Sequence, residues 1–510
     1  MFAHVGPDGE QHALPFVVAG TILVRLAKVP HHDGAIYRTH DLGEGDFVGR
    51  ASQYVAAAHP TFGADQPGAL EGEKDLLEVG LGEHGSVRDV SHRGWGAVGV
   101  HRERKQRPAC VVTTGRHLHP GESTSRYSPV GACGSLAAAR QERNVVDNPV
   151  LPDYTGACIA NIVPALLDGA VDPPPWLPAA ALEADQVVLL VLDGLGWDQL
   201  QARPHLAPTL SAMVGGPITS VTPTTTATAL TSIATGLTPG EHGVVGYRVA
   251  VDHEVLNILR WTTAQGDARK RIDPHAFQPT SAFCSQRPCI VTKAEFVTSG
   301  FSGAHLGGVR FTGYRVPSTL VVEIRHALKA REPFIYAYYD GIDKVAHEYG
   351  LADHYDAELQ AVDRLVADVL AELPRGAVLV ITADHGQVSV GENLIDLHAD
   401  VAAHVSFQSG EGRFRWLHAR PGRADALAEA SRARHSDTAW VRERDETIDD
   451  GWWGPKVADV ARQRLGDVAL VARADVSYVD AADTGPFKLI GRHGSLTAAE
   501  MYVPLLVGEA

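Results

Sequence analysis

Cysteine is scarce. Five residues in 510, an odd number without regular spacing, give no disulfide framework. Only Cys284 and Cys289 stand close enough to suggest a disulfide or a zinc pair, and no second pair supports either. Long apolar runs are missing as well. The stretch Leu14 to Leu26 is interrupted by Gly20 and Arg25 and is too short for a membrane span. It also lacks a basic start and a clear cleavage pattern, so no membrane span is expected and the expected location is cytoplasmic. Positive charge is outweighed: 45 Lys and Arg face 61 Asp and Glu, a net charge of -16. That balance argues against nonspecific nucleic-acid affinity, while leaving room for a local positive site, and no specific nucleic-acid binding is expected. Apolar residues at 45% and charged residues at 21% are ordinary for a soluble globular protein. The length assures a large core and leaves room for more than one domain. No internal repeat is evident.

What the chain does carry is five short segments rich in ligand-type side chains. They are Val-Leu-Asp193-Gly-Leu-Gly, Pro-Thr-Thr-Thr226-Ala-Thr-Ala, Asp343-Lys-Val-Ala-His347, Thr-Ala-Asp384-His385-Gly and Gly-Arg-His493-Gly. Three of them follow apolar runs: Val187 to Leu192, Phe334 to Tyr339 and Ala377 to Thr382. Continuous runs of this length suit strands buried on both faces of a parallel sheet. In open α/β sheets the ligand crevice lies at the carboxyl ends of the strands, so the three acidic motifs are expected to converge.

Each motif has a plainer explanation when taken alone. An Asp-Gly after a strand is usually a turn, since Gly tolerates positive φ and Asp bonds nearby amides. Asp343 and His347, four apart, share a helix face and could be a solvated pair. Asp384-His385 has no turn logic, and the five segments together are improbable by chance. Carboxylates and imidazoles without cysteine suit zinc. Paired metals about 3.5–4 Å apart clamp the attacking and leaving oxygens of an in-line phosphoryl displacement.

A hydroxyl beside such metals loses its proton more easily, and Thr226 is the best one. It opens a segment, Thr226 to Thr235, that reads as a helix closed by Gly236. Its N-terminus would favour a phosphate and an alkoxide. Thr222, Thr224, Thr225 and Thr228 compete for the role, or merely cap the helix.

With these residues in place, the chain resembles the alkaline phosphatase superfamily, and within it the type I phosphodiesterase/nucleotide pyrophosphatase branch. The resemblance runs from Asp193 through Thr226, Thr235-Gly236-Leu237, Pro239-Gly-Glu-His242-Gly243, Asp343 with His347, and Asp384-His385-Gly386 to His493-Gly494, over roughly residues 185 to 510. It implies an α/β fold with a central, mostly parallel sheet, helices on both faces and smaller inserted subdomains. It also implies two Zn2+ per chain, with Mn2+ as the alternative. One metal would be held by Asp343, His347 and His493, the other by Asp193, Asp384, His385 and the Thr226 oxygen. Thr226 would attack phosphorus in a small phosphate-ester or nucleotide substrate and form a covalent phospho-enzyme. The implied activity is hydrolysis of phosphodiester or nucleotide pyrophosphate bonds. A phosphomonoesterase or phosphonate hydrolase of the same superfamily, or a metal-dependent phosphotransferase or mutase, is the alternative. The family carries an Asn twenty-one residues after the nucleophile, where this chain has Tyr247. A phenol can donate one hydrogen bond to a phosphoryl oxygen, Arg248 could pair with phosphate charge instead, or Tyr247 is a packing residue.

Residues 1–146 read differently from the rest: Gly-, His- and Arg-rich, with little sustained periodicity. They are taken as a doubtful N-terminal extension, either an overextended gene start or an accessory domain. Residues 147–510 form the expected catalytic domain. Inserts without ligand motifs are placed at about 249–333 and 388–468, the second as a small α+β subdomain. Aromatics of the first insert frame the substrate pocket or fill core. Trp452-Trp453 is a loop contact or core. The sequence does not indicate an oligomeric state.

Overall fold

In a computed structural model of the protein, the described residues are 16–18, 22–24, 145–168, 173–483 and 488–510. Most of the segment read as an N-terminal extension lies outside them. Its described part is a short antiparallel pair, Phe16–Val18 with Ile22–Val24. The chain divides into two compact units, Met1–Val130 and Gly131–Ala510, and the second carries every candidate site residue.

Seven strands of the second unit form its central sheet. They are β1 (Gln186–Leu192), β2 (Val214–Thr219), β3 (Cys289–Lys293), β4 (Arg310–Tyr314), β5 (Phe334–Tyr339), β6 (Ala377–Thr382) and β7 (Tyr502–Glu509). The spatial order is β4-β3-β5-β1-β6-β7-β2. Only β7 runs antiparallel to its neighbours. The three apolar runs become β1, β5 and β6, and they lie side by side in parallel with Leu192 opposite Tyr339 and Val191 opposite Thr382. All six residues of β5 and of β6 are buried. That explains why these strands read as unbroken hydrophobic sequence rather than as an alternation. The matched register brings their carboxyl ends to one level.

Helices cover the sheet. α1 (Thr226–Thr235) is buried along its whole length and ends at Gly236 with φ of 71°. That left-handed cap was legible from the glycine itself. α2 (Gly341–Tyr349) follows β5 directly, and α3 (Asp353–Ala371) buries Tyr355, Leu359, Val362, Val366 and Val369 as one stripe.

The two stretches read as inserts behave differently. Residues 249–333 are not simply an addition, because they supply β3 and β4 to the central sheet. A run of three apolar residues, Cys289 to Val291, inside a longer polar context was too short to separate from loop by pattern alone. The later stretch builds a separate antiparallel sheet from Val405–Glu411, Phe414–Ala419, Val468–Ala472 and Ala439–Glu443, in that spatial order. Its core, around Leu417, Leu427 and Leu470, is distinct from the main one. Trp452 and Trp453 are core, at 1% and 0% exposure, packed around Phe414. Cys284 and Cys289 are free thiols. Among the described residues, no helix is long and apolar enough to cross a membrane.

Candidate active site

Asp193 ends β1, and its backbone N–H donates to the Tyr339 carbonyl at the end of β5 (2.9 Å). The Asp343 N–H, in the first turn of α2, donates in turn to the Asp193 carbonyl (3.1 Å). Gly194 N–H donates to Asp384 Oδ1 from across the β1–β6 pair (3.0 Å). The three acidic motifs are thus tied together through backbone bonds at the strand ends. Asp343 and His347 share one face of α2, with Oδ1 and Nε2 3.3 Å apart. His493 arrives from the turn before β7 and stacks on His385 with ring centroids 3.6 Å apart.

The imidazoles are oriented in one consistent way. His347 Nδ1 meets the Gly491 carbonyl (2.8 Å), His493 Nδ1 the Thr224 carbonyl (2.8 Å), and His385 Nδ1 the Gly386 carbonyl (3.0 Å). A carbonyl can only accept, so each ring donates from Nδ1, and in its neutral form it turns an Nε2 lone pair inward. Those Nε2 atoms crowd other acceptors. His493 and His347 Nε2 are 3.3 Å apart. His385 Nε2 lies 3.3 Å from Asp384 Oδ2 and 3.5 Å from Asp193 Oδ1. Neither Asp193 Oδ1 nor Asp384 Oδ2, both buried, has any hydrogen-bond partner. Lone pairs and carboxylate oxygens facing one another without a proton between them are costly when buried, unless a cation sits among them. Among the described residues, two sets meet the spacing a metal ion needs: Asp343, His347 and His493, and Asp193, Asp343 and His385. Asp343 therefore stands in both, where the sequence placed it with one. Asp384 lies at the edge of the second.

The electrostatics agree. Burial, then the charges of Asp384 and Asp343, push the Asp193 carboxyl well above the usual carboxylate range. Burial, then His385 and His347, hold His493 well below the ordinary histidine value. A divalent cation would reverse the first effect and satisfy the second.

Thr226 is the first residue of α1, and its Oγ1 lies 3.2 Å from His385 Nε2. The competing threonines are placed differently. Thr224 Oγ1 donates to the Ser495 carbonyl (2.7 Å) and accepts from Gly494 N–H (3.1 Å), so it secures the His493 turn. Thr222 and Thr228 hydroxyls are buried without partners. Thr225 is the cap residue yet makes no side-chain cap bond. Thr226, Thr225, Tyr247, Asp343, His347 and His493 line one cavity of about 440 Å³.

Tyr247 faces that cavity and its hydroxyl accepts from Asn257 Nδ2 (2.6 Å). The phenol proton is left free to point elsewhere. Arg248 does not serve the site: its guanidinium pairs with Asp480 (2.5 Å) and approaches Asp483 (3.9 Å).

Several supporting residues escaped the sequence reading. The Tyr338 hydroxyl donates to Asp193 Oδ2, and Gln387 Nε2 donates to Asp343 Oδ1 (2.5 Å). Glu500 accepts from Arg413 Nε (2.7 Å) and Nη2 (2.8 Å), from Ser495 N–H (3.0 Å) and from the Thr497 hydroxyl (2.6 Å). That fully satisfied pair anchors the turn bearing His493 to the smaller sheet. Glu411, also from the smaller sheet, is buried beside His493, 3.8 Å from Nδ1. Only Tyr338 carried any signal, because the penultimate side chain of a strand flanks the crevice.

Comparisons with known proteins fit this arrangement. The family model for type I phosphodiesterase/nucleotide pyrophosphatase matches residues 187–496. No curated protein matches by sequence. Among solved structures, murine ectonucleotide pyrophosphatase/phosphodiesterase 5 is 16% identical, with 64% of this chain and 88% of that one covered at a TM-score of 0.49. The human counterpart is 18% identical over 64% and 88%, at 0.48. Phosphonoacetate hydrolase from Sinorhizobium meliloti 1021, solved with phosphonoformate, is 17% identical over 64% and 91%, at 0.47. The matched span takes in all five motifs whole, so this chain belongs to the type I phosphodiesterase/nucleotide pyrophosphatase family.

Proposed function

We propose that the chain is a two-metal hydrolase of phosphodiester or nucleotide pyrophosphate bonds that works through Thr226 and a covalent phosphothreonine. Membership of the family makes it a hydrolase of phosphoester bonds. The observation that carries the finer reading is the set of three inward Nε2 lone pairs meeting buried carboxylates around the Thr226 hydroxyl. Asp343, His347 and His493 would hold one ion. Asp193, Asp384 and His385 would hold the other, with Asp343 facing both. Two Zn2+, when bound, supply Lewis acidity that favours the alkoxide form of a nearby hydroxyl and offsets charge on phosphoryl oxygens.

The chain's own residues do the rest. Thr226 Oγ1 bonds to phosphorus as the leaving oxygen departs from the opposite side. Water then displaces the threonine oxygen, releasing phosphate or a phosphomonoester and restoring the hydroxyl. Backbone N–H groups of the first turn of α1 are oriented to hold phosphoryl oxygens. Tyr247, its oxygen already taken by Asn257, donates its free proton to one of them.

Quenching the protein with acid during turnover of an aryl phosphodiester and mapping the phosphoryl group by mass spectrometry tests this. The adduct should sit on Thr226. An adduct on another threonine, or none while Thr226→Ala retains full turnover, would remove the nucleophile from the account.

A further inference from the structure

The cavity over Thr226 has a second chemical character besides its ligand cluster. Arg492, immediately before His493, lines it and is part-buried. Its Nε is buried without a hydrogen-bond partner among the described residues, and Asp483 and Glu411 act on the guanidinium only through longer-range charge. Of the anions near it, Glu411 also lines the cavity, with Oε1 buried and without a hydrogen-bond partner among the described residues. Asp483 is already contacted by Arg415 (3.3 Å) and Arg248 (3.9 Å). Of the other cations lining the cavity, Lys344 is paired with Asp340 (2.8 Å), Lys488 with Glu392, and Arg260 is exposed to solvent rather than part-buried. Gly412 leaves room for the guanidinium, since a Cβ there would stand 3.0 Å from Arg492 Nη1. A cation withdrawn from water without a partner is costly, and an arriving anion relieves that cost. The guanidinium's planar fork suits a carboxylate or a phosphate equally.

Resting on the reading of Thr226 as the point of attack, we propose that Arg492 binds a second anionic group of the substrate, one carried beside the phosphoryl group that reacts. The substrate class is then a phosphoryl compound bearing a further phosphate or a carboxylate, rather than a diester of two neutral groups.

Matched ligand pairs test it in metal-loaded protein by calorimetry. Pyrophosphate against orthophosphate reads a second phosphate, and phosphonoacetate against methylphosphonate reads a carboxylate. The wild type should bind the two-anion member of at least one pair tenfold or more tightly. Arg492→Gln should erase most of that preference, and Arg492→Lys should restore part of it, with the thermal midpoint of each variant confirming its fold. Absence of the preference in the wild type, or its survival in Arg492→Gln, overturns the proposal. Failure of the parent reading would show separately, as two-anion preference in a protein that never phosphorylates Thr226.

Discussion

Replacing Tyr338 by Phe removes a single oxygen and leaves the ring packed in β5. That oxygen donates to Asp193 Oδ2, while Asp193 Oδ1 has no hydrogen-bond partner among the described residues. The phenol therefore holds the carboxylate with one oxygen turned toward His385. Losing a group that orients a metal ligand costs about 10–100-fold in metal affinity. Through mass action that is about 1.4–2.7 kcal/mol less stabilisation of the folded protein by saturating metal. Zinc titration of chelator-stripped protein, read by calorimetry, gives the affinity directly. Urea unfolding with and without metal gives the linked stability. The second site, built on Asp343, His347 and His493, should be weakened less, so the two binding steps should separate. If Tyr338→Phe takes up both metals with wild-type affinity, Asp193 is not a ligand positioned by this bond, and the electrostatic argument for the site loses its base.

Other outcomes follow from the same geometry. Thr226→Ala should lower kcat by several orders of magnitude while both metals stay bound, and Thr226→Ser should keep part of the rate, as steady-state kinetics with elemental analysis will show. Tyr247→Phe should reduce kcat by roughly 100–1,000-fold if the phenol donates to the developing charge, and an unchanged kcat would make it a packing residue. Burial holds His242 down to about 3 and His305 and His418 to about 4. The unfolded chain therefore takes up their protons first. Their stabilising contribution is complete above pH 6.5 and lost as pH falls toward 4, at up to about 1.4 kcal/mol per pH unit for each. Urea midpoints across that window should fall steadily, and flat midpoints from pH 7 to 5 would contradict it. Deleting residues 1–144 should leave folding and turnover intact. The cut spares Val146, whose N–H bonds to the Arg473 carbonyl (2.8 Å); an insoluble product would show the segment to be an integral domain.

The parts legible in the sequence were those with local causes. Burial on both faces wrote β1, β5 and β6 as apolar runs, and the parallel arrangement that buries them also aligned Asp193, Asp343 and Asp384. Gly236 announced the end of α1. The residues missed act over long distances. Gln387 reaches Asp343 across 44 positions, and Arg413 reaches Glu500 across 87. No periodicity encodes such pairings. Strands β3 and β4 were hidden for a related reason: β3 is a short five-residue strand with only three successive apolar residues, and the edge strand β4 has a single buried position, so neither stands out from loop.

The central claim is a pair of metal ions held by lone pairs that face one another without protons between them. Elemental analysis combined with native mass spectrometry of active protein measures it directly. Two divalent ions per chain are expected in the wild type, falling to one in His347→Ala. Full phosphodiesterase activity in chelator-treated protein holding fewer than one ion per chain would contradict the account.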